Sequence, residues 1–163
     1  MPNVVQMLAD HIASEEKASR TYRYFQSWCG LNGWPGTEAY FMAESKDELT
    51  HMEAFQAYVD DVWPSLKPPA VDSQDAIAIP IVNLVDCFTA ALQLEKDVLG
   101  QLNAIGSQAV TEGNFDVLRF LQRFTEIGVN SIRELTTYVQ QLKLAGSDAA
   151  ALLGFDSEIG EEG

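Results

Sequence analysis

Glu48 and His51 stand three residues apart in the run AESKDELTHMEAF, and two further glutamates, Glu15 and Glu95, interrupt otherwise apolar stripes elsewhere in the chain. A spacing of three or four residues puts side chains on one face of a helix. An ionised carboxylate costs several kcal/mol to bury unpaired, and the stripes carry no matching supply of lysine or arginine. A cation must therefore join the acids, and a metal is the simplest one. Oxygen donors with a single imidazole suit a first-row metal of intermediate hardness, iron or manganese, whereas structural zinc favours cysteine or several histidines. Three glutamates and one histidine supply enough donors for two metals if Glu48 bridges them. Two metals held close together can each give an electron to dioxygen, so the pattern predicts a two-metal oxidase.

The elements that would position these groups are helices. The first stripe reads Val4, Leu8, His11, Glu15, Ala18, Tyr22, Phe25, Cys29; the second Phe41, Glu44, Glu48, His51, Phe55, Tyr58, Val62; the third Ile81, Val85, Phe88, Leu92, Glu95, Leu99, Leu102. A fourth, Val117, Leu121, Phe124, Gly128, Ser131, Leu135, Tyr138, Leu142, carries small residues at its midpoint. All six prolines lie at or outside the ends of these segments, as helices require. The periodicity predicts helices over 3–30, 37–62, 81–112 and 115–144, and a short fifth over 148–157 with Ser147 as its N-cap. Turns at Gly30–Gly36 and Gly113–Asn114 pair the first helix with the second and the third with the fourth, antiparallel. The proline-rich segment 63–80 is long enough to cross the bundle and join two parallel helices. The expectation is one all-α domain over 1–163, a four-helix bundle with a long crossover, with Glu15, Glu48 and Glu95 meeting at one depth. The acidic tail from Asp156 onward is expected to fray.

Composition narrows the function. Twenty-four acidic against 10 basic residues give a net charge of −14, which disfavours nucleic acid and anionic membranes as partners and favours cation handling. No apolar run reaches the length of a membrane span and no signal-peptide order opens the chain, so the expected compartment is the cytoplasm. Cys29 and Cys87, the two cysteines, fall on helical stripes and read as small buried hydrophobes without an assigned function. His11, one turn before Glu15, reads as a hydrogen-bonded packing residue more than a ligand. Asp47, Glu53, Glu16, Glu126 and Glu134 fall off the stripes and read as solvated surface.

A helix-borne glutamate combined with Glu-x-x-His is the di-iron carboxylate signature of ferritin-like proteins, and the resemblance to ferritin covers nearly the whole chain. SEEKASRTYRYF resembles the ferritin A helix, with its metal-ligand glutamate at Glu15 and its tyrosine at Tyr22. AESKDELTHMEAF resembles the B helix with Glu48 and His51, ALQLEKDVLGQLNAI the C helix with Glu95, and ALLGFDSEI the short fifth helix of cyanobacterial ferritins. Glu44, one turn before Glu48, matches an accessory iron-site glutamate of diatom ferritins; on the residues alone it reads equally as a solvated neighbour. Tyr22 reads as core filler or as a phenol that bonds a ligand glutamate or donates an electron.

The resemblance implies a ferritin subunit that oxidises Fe(II) with dioxygen at an intra-subunit di-iron ferroxidase centre and stores ferric mineral in a homo-oligomeric cage of roughly 24 subunits. Tyr24, Trp28, Tyr40 and Trp63, off the stripes, are expected to seal subunit contacts. Bacterioferritins place a second Glu-x-x-His where this chain has Gly128 and Ser131. The second iron is therefore expected to rest on Glu48, Glu95 and water, bound more weakly than the first, and the acidic threefold channel of many ferritins is not reproduced around Arg119 and Gln122. Two other readings stay open: a di-iron oxidase or peroxidase with no storage role, against which the missing second Glu-x-x-His argues, and a non-catalytic cage subunit.

Overall fold

The computed structural model describes residues 3–64, 66 and 79–162, and among these residues the only regular secondary structure is α-helix. Five helices follow in order: α1 Val4–Leu31, α2 Pro35–Val62, α3 Leu84–Thr111, α4 Phe115–Ala145 and α5 Ala149–Glu161. Each start is written locally. Asn3, Asn83, Asn114 and Asp148 accept a backbone N–H through their side chains at the starts of α1, α3, α4 and α5, and α2 begins on Pro35, whose fixed φ suits the first helical turn. The cap of α5 is thus Asp148 rather than Ser147. The third helix starts at Leu84, three residues later than its stripe suggested, because Asn83 caps it and Asp86 bonds back to the Val82 N–H at 2.9 Å.

The core is divided into two apolar halves. One holds Tyr22, Phe25 and Cys29 of α1, Tyr40 and Phe41 of α2, Leu84 to Ala91 of α3 and Leu135 to Leu142 of α4. The other holds Val4, Leu8 and Ile12 of α1, Phe55 and Val59 of α2, Leu102 to Ala109 of α3 and Val117 to Phe124 of α4. Chain direction follows from the order in which each helix meets the halves: α1 and α4 run from the second to the first, α2 and α3 from the first to the second. The pairs α1/α2 and α3/α4 are therefore antiparallel and α2/α3 parallel, so the end of α2 and the start of α3 lie at opposite ends of the bundle. Most of the expected crossover, residues 65 and 67–78, lies outside the described residues. Between the halves, at the midpoint of the bundle, sit Glu15, Glu48 and Glu95.

Several expectations need correction. The buried stripe of α3 is Leu84, Cys87, Phe88, Ala91, Glu95, Val98, Leu102, Ile105 and Ala109. Ile81, Val85, Leu92 and Leu99 flank it, since a stripe facing two neighbouring helices is wider than a single seam. Val62 is exposed. Tyr40 does not face outward; it is buried against Phe41, Phe88 and Tyr138. Tyr24 and Trp28 pack on the first half-core and Trp63 on the second.

The tail does not fray at Asp156. That side chain is 5% exposed and accepts hydrogen bonds from the N–H groups of Gly36 and Thr37 and from Thr37 Oγ1, at 3.0, 2.7 and 2.7 Å. A carboxylate at the first turn of α2 satisfies otherwise orphaned donors and meets the positive end of the helix dipole. Glycine is required where the two helices cross: a Cβ on Gly36 would lie 1.8 Å from the Asp156 carbonyl oxygen.

Candidate metal centre

Mid-helix positions on α1, α2 and α3 bring Glu15, Glu48 and Glu95 together at 2, 5 and 6% exposure, and His51 projects from α2 one turn after Glu48. Two donor sets result. Glu15, Glu48 and His51 offer two oxygens and a nitrogen; Glu44, Glu48 and Glu95 offer three oxygens; in each set the donor atoms lie within 4.8 Å of one another. Glu48 belongs to both, the position of a bridge. Glu44 is half-buried and faces the second set, so it is not merely a solvated neighbour on the flank. No residue of α4 joins either set, in keeping with Gly128 and Ser131 at its midpoint. Gly128 is filled from across the bundle, its Cβ position 3.3 Å from Leu99 Cδ1.

Supporting contacts orient the donors. His11 Nε2 lies 2.8 Å from Glu15 Oε1 and its Nδ1 lies 3.0 Å from the Gln101 amide of α3. Burial, partly offset by that amide, holds His11 down to about 4. It is therefore neutral near pH 7, its one ring proton donated from Nδ1 to Gln101 Oε1, so that the Nε2 contact with Glu15 needs a proton on that carboxyl. Tyr22 donates its phenol to Glu95 Oε1 at 2.5 Å. His51 Nδ1 stands 3.5 Å from Glu48 Oε2.

The acids are under electrostatic load. Burial, then the hydrogen bond to Glu15, pushes Glu48 up to about 8. Burial and the Glu48 charge push Glu95 up to about 7 against the opposing Tyr22 bond, and burial with the charges of Glu95 and Asp47 pushes Glu44 up to about 8. Glu15 is raised by burial as well. For His51 burial acts downward, but the bond to Glu48 and the charges of Glu48 and Glu15 prevail and raise it. Glu15 Oε2 is buried and has no hydrogen-bond partner among the described residues. This is a candidate donor set for a cation. Acceptors outnumber donors, one carboxylate oxygen is orphaned, and four carboxylates match the charge of two divalent cations. Iron fits these oxygen-rich sets with one imidazole.

All six residues singled out from the sequence, Glu15, Tyr22, Glu44, Glu48, His51 and Glu95, converge on this layer. Sequence reasoning missed Gln101, which steadies His11, and a latch beside the acids. Ser19 Oγ donates to the Ser45 carbonyl at 2.8 Å and Ser45 Oγ to the Ser19 carbonyl at 2.9 Å, fastening α1 to α2. The available signal was spacing: Ser19 follows Glu15 by four residues and Ser45 precedes Glu48 by three, small side chains where a stripe leads one to expect bulk.

Comparison with known proteins agrees with this geometry. Over 158 residues the chain is 20% identical to the bacterial non-heme ferritin of Escherichia coli, covering 97% of this chain and 94% of the relative. It is 22% identical to that of Staphylococcus aureus, covering 97% and 93%. Among solved structures, the open pore ferritin of Archaeoglobus fulgidus superposes with a TM-score of 0.89 at 22% identity, over 96% of this chain and 95% of that one. The apo-ferritin of Pseudo-nitzschia multiseries gives 0.89 at 22%, over 97% and 99%. The family model for the ferritin-like domain matches residues 5–145, a span that takes in the midpoints of α1 to α4, where the buried acids lie, and stops before α5; the chain belongs to the ferritin family.

Proposed function

We propose that this chain is an iron-storage ferritin subunit whose mid-bundle layer binds Fe(II) and oxidises it with dioxygen. The observation that carries the reading is the sharing of Glu48 between two donor sets in a buried layer crowded with carboxylates. Fe(II) is the substrate. One ion is held by Glu15, Glu48 and His51, the other by Glu48, Glu95 and Glu44. Entry of the cations displaces the protons that Glu48, Glu95 and Glu44 hold at neutral pH, and the layer becomes neutral overall. Two Fe(II) ions then supply two electrons to dioxygen, which with two protons gives hydrogen peroxide and two Fe(III). The protein's share is positioning. His11 orients Glu15, Tyr22 fixes Glu95, and Glu44, half-exposed, links the layer to the way out toward storage. The second set lacks an imidazole and a ligand from α4, which supports weaker retention there and suits a site through which iron passes.

The proposal includes assembly into a closed homo-oligomeric cage of about 24 copies in the cytoplasm, without nucleic-acid or membrane partners. Among the described residues no helix is long and apolar enough to cross a membrane. Leu31, Val82, Phe115 and Leu144, 69–88% exposed, are candidates for burial between copies.

Stopped-flow oxidation of Fe(II) by dioxygen, with no organic substrate present, tests the reading. Wild-type protein is expected to show a rapid phase of two Fe(II) per subunit, lost in E48A while the assembly keeps its size. Rapid oxidation persisting in E48A overturns the proposed centre, and a requirement for an organic co-substrate overturns the storage role.

A further inference from the structure

The Tyr22 phenol is bonded to Glu95, and a second phenol in the same half-core is bonded to carboxylates in the same manner. Tyr138 OH lies 2.8 Å from Glu134 Oε1 and 2.7 Å from Glu162 Oε2, so its single proton is offered to two acceptors. The two tyrosines are joined by a run of ring contacts, the first stacked and the others tilted or edge-on. Tyr22 and Phe41 have centroids 5.9 Å apart at 24°, Phe41 and Tyr40 are 5.3 Å apart, and Tyr40 and Tyr138 are 5.8 Å apart. A parallel branch runs from Phe41 to Phe88 at 5.0 Å and from Phe88 to Tyr138 at 5.7 Å. Tyr138 borders an open depression of about 710 Å³ lined by Ser131, Arg133, Glu134, Thr137, Gln141 and Glu162. The rings thus lead from the buried acids to the surface of the subunit.

We infer that Tyr138 is a second redox-active tyrosine, an electron donor to Tyr22 through the Phe41, Tyr40 and Phe88 rings, with Glu134 and Glu162 as its proton acceptors. The inference rests on the proposed iron oxidation, which supplies the oxidant. One hydrogen peroxide, one Fe(II), two protons and the Tyr22 phenol give two waters, one Fe(III), a Tyr22 phenoxyl radical and the phenol proton held at Glu95. Tyr138 then gives one electron to Tyr22, which regains a proton at Glu95, while the Tyr138 proton passes to Glu134 or Glu162. A phenol is oxidised at moderate potential only if its proton can leave, and each end of the run has a carboxylate for that purpose. The phenyl rings between serve as bridge. A Fe(II) ion in solution, the reductant present during turnover, reduces the Tyr138 radical and becomes Fe(III), and the carboxylate returns the proton. The consequence is that a strong oxidant generated beside the ligands leaves the core as a surface radical instead of damaging the site.

Freeze-quench electron paramagnetic resonance on the assembled, Fe(II)-loaded protein mixed with hydrogen peroxide tests this. Wild type is expected to show two successive tyrosyl signals, the first lost in Y22F. Y138F keeps the ring and its packing, and should leave only the first signal, with a lifetime lengthened several-fold. The E134Q/E162Q double variant, which keeps the phenol and removes its proton acceptors, should do the same. Mass spectrometry should find oxidised Tyr138 in wild type and not in Y22F. An unchanged lifetime of the Tyr22 signal in both Y138F and E134Q/E162Q overturns the relay while leaving the iron-oxidation reading intact. Absence of the rapid oxidation phase with dioxygen in wild type removes that reading and the relay with it.

Discussion

Metal-free protein should become less stable as pH rises from about 6.5 to 9, the reverse of what an ordinary salt-bridged carboxylate gives. Glu48 and Glu95 are held up to about 8 and about 7 from an ordinary 4.5, so through this range the folded chain keeps protons that the unfolded chain has already released. Stability therefore falls with pH until each folded value is passed. At about 1.4 kcal/mol per pKa unit, Glu48 accounts for a loss of about 2 kcal/mol over this window and Glu95 for about 1 kcal/mol. Because each value includes repulsion from the other acid, the two overlap, and the net expectation is a loss of about 2–3 kcal/mol. His51, raised above 6.5, loses its contribution in the same direction. His11, held down to about 4, imposes its cost below the range. Against a typical total of about 5–15 kcal/mol the effect is large enough to resolve by guanidinium unfolding at a series of pH values. E48Q should make the profile shallower, leaving the contributions of Glu44, Glu95 and His51, and Zn(II), a redox-inert occupant, should abolish the loss by pairing the acids. A metal-free profile that is flat or rises between about pH 6.5 and 9 would refute the argument that these carboxylates are buried without a cation.

Three further outcomes follow from contacts around the layer. D156A, which strips three hydrogen bonds from the start of α2, should cost about 2–3 kcal/mol and release α5, read as a lower Tm and faster proteolysis after Ala145. H11L leaves Glu15 without its imidazole partner and should weaken Zn(II) binding by about ten- to a hundredfold in calorimetric titration; unaltered affinity would mean His11 only fills space. S45V removes one arm of the serine latch, the Ser45 Oγ bond to the Ser19 carbonyl, while Ser19 keeps its bond to the carbonyl of residue 45, and should cost about 1 kcal/mol in denaturant unfolding.

The layer of buried acids was legible because its residues violate the stripe they occupy: a glutamate where a leucine packs is visible in sequence, and three such violations at matching helix depth give a location. The four bundle helices were legible for the related reason that their periodicity is interrupted only at prolines and caps. What escaped reading depends on partners far apart in sequence. Asp156 looks like one acid in an acidic tail, and only the start of α2, some 120 residues earlier, makes it a buried cap. Tyr40 falls off the seam of a single helix yet faces α3 and α4, because each helix packs against more than one neighbour. Glu44 was ambiguous since the same position faces solvent or the second donor set depending on helix rotation, which periodicity fixes only to within about a residue.

Anomalous diffraction at the iron edge, from crystals soaked briefly and then longer in Fe(II), bears most directly on the central claim. Two peaks are expected, one beside Glu15 and His51 and one beside Glu95 and Glu44, with Glu48 touching both and the first filling sooner. Iron density confined to the subunit surface, with Glu15, Glu48 and Glu95 bonded among themselves in the core, would contradict it.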